Sequence, residues 1–230
     1  MSNRRFRPMN ADSFVRPNLR FELRLLAQGY AWIAGVDEVG RGAWAGPVVA
    51  AAVILPLAER SERSARALRR RLAGVNDSKQ LTARQREALF PRILEVACAV
   101  GIGRAGSGEV DRDGIVPATR AAMIRAVAAL SRPPDHLLID ALRLPHSDLP
   151  QTSIIKGDAR SLSVAAASII AKVTRDRWMA GLDEQHPGYG FGRHKGYGTV
   201  LHREALHRMG VSAAHRRSFA PMVKMVGEAW

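Results

Sequence analysis

Three separate segments of the chain each set acid at the edge of an apolar run. Asp37-Glu38 follows Ala31–Val36, Asp140 follows His136–Ile139, and Asp158 comes shortly after Ser153–Ile155. In open α/β sheets, sites gather where strands end and loops diverge, so these acids are candidates for a shared site. Crowded carboxylates repel unless they are protonated or share a cation. Oxygen donors favour a hard ion, Mg²⁺ or Mn²⁺. One or two such ions would activate water and stabilise the leaving oxygen in phosphodiester cleavage. Taken singly, each acid also has an ordinary reading. Asp140 starts a turn, Asp158 caps the helix that follows it, and Asp37-Glu38 is a solvated strand end. Neighbouring strand residues point to opposite faces, so Asp37 and Glu38 share a site only if the strand ends or twists there. Gly40 and Gly42 permit that.

Around the acids lie groups suited to a polyanion. Gly40-Arg41-Gly42 offers main-chain N–H groups that can approach a sugar or phosphate, with a guanidinium that forks onto phosphate oxygens. Lys79 on a turn and Lys172 on an Ala/Ile-rich helix are further phosphate contacts or plain surface lysines. The Lys172 stem would pack while its head reaches out. Tyr197 lies in a Gly-rich basic stretch, which makes it the aromatic most suited to meeting a ligand. Trp32, Trp178 and Phe191 read as core or helix-packing residues. Five of the seven histidines fall between His186 and His215. Their irregular spacing, with no cysteine nearby, argues against zinc, and they are expected to face phosphate or solvent. The lone Cys98 alternates with apolar neighbours and is expected as a core thiol.

These side chains need a scaffold. Strands are expected over Ala31–Val36, Val48–Leu55, Val96–Gly103, His136–Ile139 and Ser153–Ile155. Helices are expected over 59–72, from an N-cap at Thr82 to about Leu94, over Val116–Leu130 and over about Ser161–Leu182, with two short ones near the end. His186–Gly198 reads as a loop. Strands come first and then alternate with helices, so the class is α/β with a mixed sheet. Residues 1–29 read as a basic, partly disordered tail, 30–185 as the α/β domain that carries the acids, and 186–230 as a loop and helical portion.

With 230 residues and one cysteine, the chain is long enough to bury a core without disulfide staples. Its net charge of +14 comes from 35 Lys and Arg against 21 Asp and Glu, and favours a nucleic-acid partner. No segment reads as a signal peptide or bilayer span, so a cytoplasmic protein without membrane attachment is expected.

Several motifs together resemble the type 2 ribonucleases H (ribonuclease HII). They are Ala34–Gly42 with Ala45–Ala50, Asn76–Leu81, Lys156–Ala159, Ala165–Val173 with Arg175-Asp176, His194–Thr199 and His215–Phe219. The resemblance runs in order from about Tyr30 to Val223. It implies a ribonuclease H-like fold, a five-stranded mixed sheet flanked by helices, plus a small C-terminal helical portion that helps hold the substrate. It places the family's metal-binding, catalytic acids on Asp37, Glu38, Asp140 and Asp158, and its 2′-hydroxyl-reading motif on Gly40, Arg41 and Gly42. The tyrosine beside the junction sugar falls on Tyr197. Lys79 and Lys172 also match motif positions. The implied enzyme is a monomer that uses Mg²⁺ or Mn²⁺. It would cut the RNA of RNA–DNA hybrids and cut 5′ of single ribonucleotides in duplex DNA, leaving 3′-hydroxyl and 5′-phosphate ends. That implies a role in ribonucleotide removal from DNA. The chain departs from the common pattern at Val39, at Ala43-Trp44, and at Ala141, where glycine is frequent. A nuclease confined to long hybrids and a non-catalytic binding module are the rival readings.

Overall fold

The computed structural model describes residues 16–57, 61–145 and 147–227. The first helix, α1 (Arg20–Ala27), buries Leu25 and Leu26. Strand β1 (Ile33–Val39) leads into β2 (Val48–Ile54). Helix α2 (Glu62–Arg71) and the Thr82-capped helix α3 (Ala83–Val96) come next, before β3 (Ala99–Ala105). Helices α4 (Ser107–Asp113) and α5 (Ile115–Ala128) precede β4 (His136–Asp140) and β5 (Gln151–Ile154). Helix α6 (Leu162–Gln185) follows, and then α7 (Phe191–His194), α8 (Val200–Met209) and α9 (Ala220–Gly227).

The strands form one five-stranded sheet in the order β3-β2-β1-β4-β5. Strand β1 pairs antiparallel with β2 and parallel with β4, while β4 and β5 are parallel. The sheet is therefore mixed, as the alternation of elements predicts. Every residue of β2 is buried, because helices cover both faces. Ala51, Val53 and Leu138 pack toward α6 and its neighbours, while Ala50, Ala52, Leu137 and Ile139 pack toward α5. Small residues let α6 lie close on β1. A Cβ built on Gly35 would come within 2.2 Å of the Ser163 carbonyl carbon.

The structure corrects some expectations. Residues 20–27 are helical rather than part of a tail, because the apolar face of α1 docks on the core and Glu22 caps α6. Ser161 Oγ and Ser163 Oγ donate to Glu22 Oε1 at 2.6 and 2.8 Å. Residues 1–15 lie outside the described part. Cys98 is exposed, since it precedes β3 on a sheet edge, and its N–H donates to the Ile54 carbonyl at 2.8 Å. Burial pushes its thiol up despite Arg132 nearby, so it is no ready nucleophile. Trp178 is partly exposed beside Arg104, 5.5 Å from its guanidinium carbon. Among the described residues, no helix is long and apolar enough to cross a membrane.

Candidate active site

Register brings the first acids together. Val36 of β1 pairs with Ile139 of β4, so the next residues on the two strands, Asp37 and Asp140, are neighbours just past the last pair. Both point to the α6 side, the parity of Gly35 and Leu138. Strand β1 does not end at Asp37 as the sequence suggests. It continues to Val39 because β2 goes on pairing with it, Asp37 with Ala51 and Glu38 with Ala50. Glu38 therefore has the opposite parity. It still lines the cleft, because β4 has already stopped and leaves the edge of β1 open.

Asp37, Glu38, Asp140, Gly40, Arg41 and Gly42 line one cleft of about 610 Å³, joined by Lys79, Lys172 and Tyr197. Asp158 lies buried in a short turn at Gly157–Ala159, behind Lys79, whose Nζ donates to its Oδ2 at 3.0 Å. Burial pushes the Asp37 carboxyl well above its usual value, reinforced by the charges of Glu38, Asp140 and Asp158. Burial likewise raises Glu38 against the opposing pull of Arg41. It raises Asp140 too, although the Gly157 N–H donates to Asp140 Oδ1 at 2.7 Å. Burial alone would lower Lys79, but its bond to Asp158 and the charges of Asp158, Asp37 and Asp77 hold its ammonium above the usual range.

The donor set suits a hard cation. Glu38 Oε2 is buried with no hydrogen-bond partner, and the acids destabilise one another as carboxylates. Among the described residues, no group of three or more His, Cys, Asp or Glu side chains is placed to hold a metal ion as it stands. Two protein cations engage oxygens that an ion would need. They are Lys79 on Asp158, and Arg41, whose Nη1 is 3.3 Å from Glu38 Oε1.

Beneath the glycine–arginine–glycine turn lie two buried guanidiniums whose hydrogen bonds all go to main-chain carbonyls. Arg175 donates to the carbonyls of Pro47, Lys195 and Ala45 at 2.8, 2.9 and 3.2 Å. Arg216 donates twice to the Gly46 carbonyl, at 3.1 and 2.9 Å, and once to that of Arg41 at 2.8 Å. Burial, with the Arg175 charge, lowers Arg216 to about 10. Gly40 has φ +92°, and a Cβ there would meet Arg175 Nε at 2.2 Å. Its glycine is thus required twice, by the backbone angle and by the guanidinium.

Lys172 keeps its head inside rather than reaching out. Its Nζ is 2.8 Å from Asp176 Oδ1, one helical turn on. Arg86 and Ser78 also line the cleft, and sequence reasoning did not single them out. Arg86 donates to the carbonyls of Ser78 and Leu81, and Ser78 N–H to Ser168 Oγ at 3.1 Å. The only sequence signal was the motif Asn76–Leu81 just ahead of the Thr82 cap.

Strained backbone flanks the site. Among the described residues, three other than glycine have positive φ: Ala141 at 50°, Lys156 at 56° and Lys195 at 55°. Each lies within two positions of Asp140, Asp158 or Tyr197. A left-handed L-residue costs about 1–2 kcal/mol, and such strain clusters at functional sites. Ala141→Gly is expected to relieve it and, after glycine's own entropy cost, to stabilise by about 0.5–1 kcal/mol. Thermal melting checks this, with a rise of about 2 °C expected.

The histidines were expected at the surface, but His194, His202 and His215 are buried. They pack against Phe191, whose ring centroid is 5.6 Å from that of His202, and hydrogen bonds satisfy their ring nitrogens. Burial lowers His202 and His215 to about 4, aided by neighbouring imidazoles. Unfolded histidine titrates near 6.5. Between 6.5 and 4 the unfolded chain therefore binds more protons, and stability is lost as the pH falls through that window. Melting temperatures between pH 7 and 4 should drop for the wild type, and drop less when His202 is replaced by Asn. Equal slopes would remove His202 as a source.

A family model described as Ribonuclease HII matches residues 34–222. The chain is 56% identical over 204 residues to Ribonuclease HII of Geobacillus kaustophilus, spanning 89% of this chain and 74% of that protein. It is 54% identical over 208 residues to Ribonuclease HII of Chloroflexus aurantiacus, spanning 90% and 95%. Among solved structures, the ribonuclease H2 of Pyrococcus horikoshii superposes with a TM-score of 0.69 at 27% identity, covering 86% of this chain and 98% of that one.

Proposed function

Because the chain belongs to the ribonuclease HII family of type 2 ribonuclease H endonucleases, we propose that it cuts RNA paired with DNA in a divalent-metal-dependent reaction. We propose further that it cuts 5′ of single ribonucleotides in duplex DNA and leaves 3′-hydroxyl and 5′-phosphate ends. The observation that carries this reading is the set of mutually repelling, largely buried carboxylates on a chain of net charge +14. A pure binder gains nothing from carboxylates turned toward phosphate.

Asp37, Glu38, Asp140 and Asp158 would hold one or two Mg²⁺ or Mn²⁺ ions. When bound there, such ions supply a lowered pKa for the attacking water and charge neutralisation at the leaving oxygen. The Gly157 N–H orients Asp140. Lys79 holds Asp158 in line and, on release, is free to meet phosphate. Arg41 balances Glu38 until a phosphate takes its guanidinium. Gly40 and Gly42 keep side-chain bulk away from the 2′-hydroxyl, the group that separates RNA from DNA. Tyr197 offers a flat face to the junction sugar, and Lys172 adds positive charge to the groove.

The test is cleavage of duplex DNA carrying one ribonucleotide, beside an all-DNA control and a long hybrid, with and without Mg²⁺ or Mn²⁺. A metal-dependent cut 5′ of the ribonucleotide is expected. Cleavage of the hybrid alone would sink the junction reading, and cleavage in chelator would sink the metal.

A further inference from the structure

The loop that carries Tyr197 is held from behind by imidazoles whose bonds have only one consistent direction. The Ser212 N–H donates to His215 Nδ1 at 3.0 Å, so that nitrogen carries no proton. His215 is then protonated on Nε2, which faces His202 Nε2 at 3.0 Å. His202 accepts there and is protonated on Nδ1, 3.0 Å from the Tyr197 carbonyl. Alongside, His194 accepts the Gly196 N–H on Nδ1 at 3.2 Å and donates from Nε2 to the Tyr189 carbonyl at 2.8 Å. Its ring stacks on His202 with centroids 4.3 Å apart. Each ring is neutral, with one nitrogen donating and the other accepting.

A leucine would fill this volume with no polar atoms to satisfy. What imidazole adds is direction, and the chain of bonds ends on a backbone that needs it. Lys195 and Gly196 both have positive φ, 55° and 79°, and Tyr197 follows them into the cleft. Trp44 closes the arrangement. Its N–H donates to the Gly196 carbonyl at 2.8 Å, and its ring tilts against His202 with centroids 5.5 Å apart.

We propose that His202 and His215 are positioning residues. The line Ser212–His215–His202 sets the placement of Tyr197 over the cleft, and with it the rate at a ribonucleotide embedded in DNA. This rests on the reading that Tyr197 meets the substrate there. His202→Asn keeps an N–H donor close to the place of Nδ1, whereas His202→Leu keeps only bulk. On duplex DNA with one ribonucleotide, His202→Leu should lower kcat about tenfold through misplacement with KM little changed, and His202→Asn should restore most of it. In a Tyr197→Ala background the His202→Leu loss should vanish. Additive losses, or equal losses for Leu and Asn, overturn the proposal while leaving the role of Tyr197 intact. Wild-type cleavage by Tyr197→Ala overturns that role and the proposal with it. A second measurement needs no variant to fold. Nitrogen NMR of the wild-type imidazoles should find the proton on Nδ1 of His202 and on Nε2 of His215 and His194. Any other set of tautomers overturns the line.

Discussion

Replacing Asp37 by Asn is expected to abolish turnover and at the same time to raise the melting temperature. Asp37 is buried, and three other carboxylates raise its pKa through their charges. As an anion it is disfavoured both by burial and by its neighbours' charges. Under the proposed function it is also a metal ligand whose charge the reaction requires. An amide keeps the shape but not the charge, so cleavage should fall by at least about 1000-fold, the scale of losing a preorganised electrostatic group. The same change removes repulsion from Glu38, Asp140 and Asp158. A gain of about 1 kcal/mol is typical for such a relief, or about 2–4 °C in a chain of this size.

The pH dependence has a definite sign. Below pH 3.8, the ordinary value for Asp37, folded and unfolded chains are both protonated. Above it, the folded chain retains the Asp37 proton longer, so the contribution of this one group to stability falls as the pH rises toward its raised folded value, opposite in sign to that of the buried histidines. The Asp37→Asn protein should lack this contribution, so its melting temperature should fall more steeply than the wild type's as the pH is lowered. Mg²⁺ or Mn²⁺ should raise the wild-type melting temperature by binding only the folded state, and raise that of Asp37→Asn less. Calorimetry with and without metal, run beside the cleavage assay, reads all of these. Retained turnover at ordinary metal concentration would take Asp37 out of the site.

Gly35→Ala should be among the most damaging substitutions of a single hydrogen by a methyl. The new Cβ would stand 2.2 Å from Ser163 C, 2.4 Å from Val164 N and 2.6 Å from Ser163 O. All of these are backbone atoms, so no side chain can rotate away. Helix α6 must lift from β1, and Glu22 must lose its grip on Ser161 and Ser163. Overpacking costs about 1–3 kcal/mol even where side chains can move, so about 3 kcal/mol is expected here. That is a fall of about 6–12 °C in melting temperature. Asp37 is two residues along the same strand face, so kcat should fall as well. Denaturant midpoints and kcat measured together test this. An unchanged midpoint would mean that helix and strand are not in contact at this point.

Much of the scaffold was legible locally. Apolar runs marked the five strands, and Thr82 announced the helix it caps. The long helix was expected from about Ser161 with Asp158 as a possible cap, but the cap is Ser161, whose side chain accepts from the Val164 N–H. Helix α1 was missed because six arginines spread over residues 1–24 give the whole segment the character of a basic tail and mask Phe21, Leu23, Leu25 and Leu26, which pack on the core. Cys98 was misplaced because alternation says which residues share a face, but not where the helix covering that face ends. The histidines were misread because glycines in their segment suggest an open loop. In the fold those glycines let the chain turn back, so that the rings pack on one another and on Phe191.

The chain's residues alone determined which groups could do chemistry: the acids at the strand ends, the glycine-flanked Arg41, Tyr197 in its basic loop and an excess of positive charge. These signals rest on residue type and on periods of two or a few residues, which neighbours along the chain define. Tertiary structure decided which of them meet. Register, set by packing across the sheet, put Asp37 beside Asp140, and the early end of β4 let Glu38 into the cleft. Lys79 found Asp158 across 79 positions. Arg175 and Arg216 were buried on main-chain carbonyls that no motif reveals. A partner chosen by three-dimensional packing leaves no periodic trace, because the interaction depends on distance in space and not on separation along the chain.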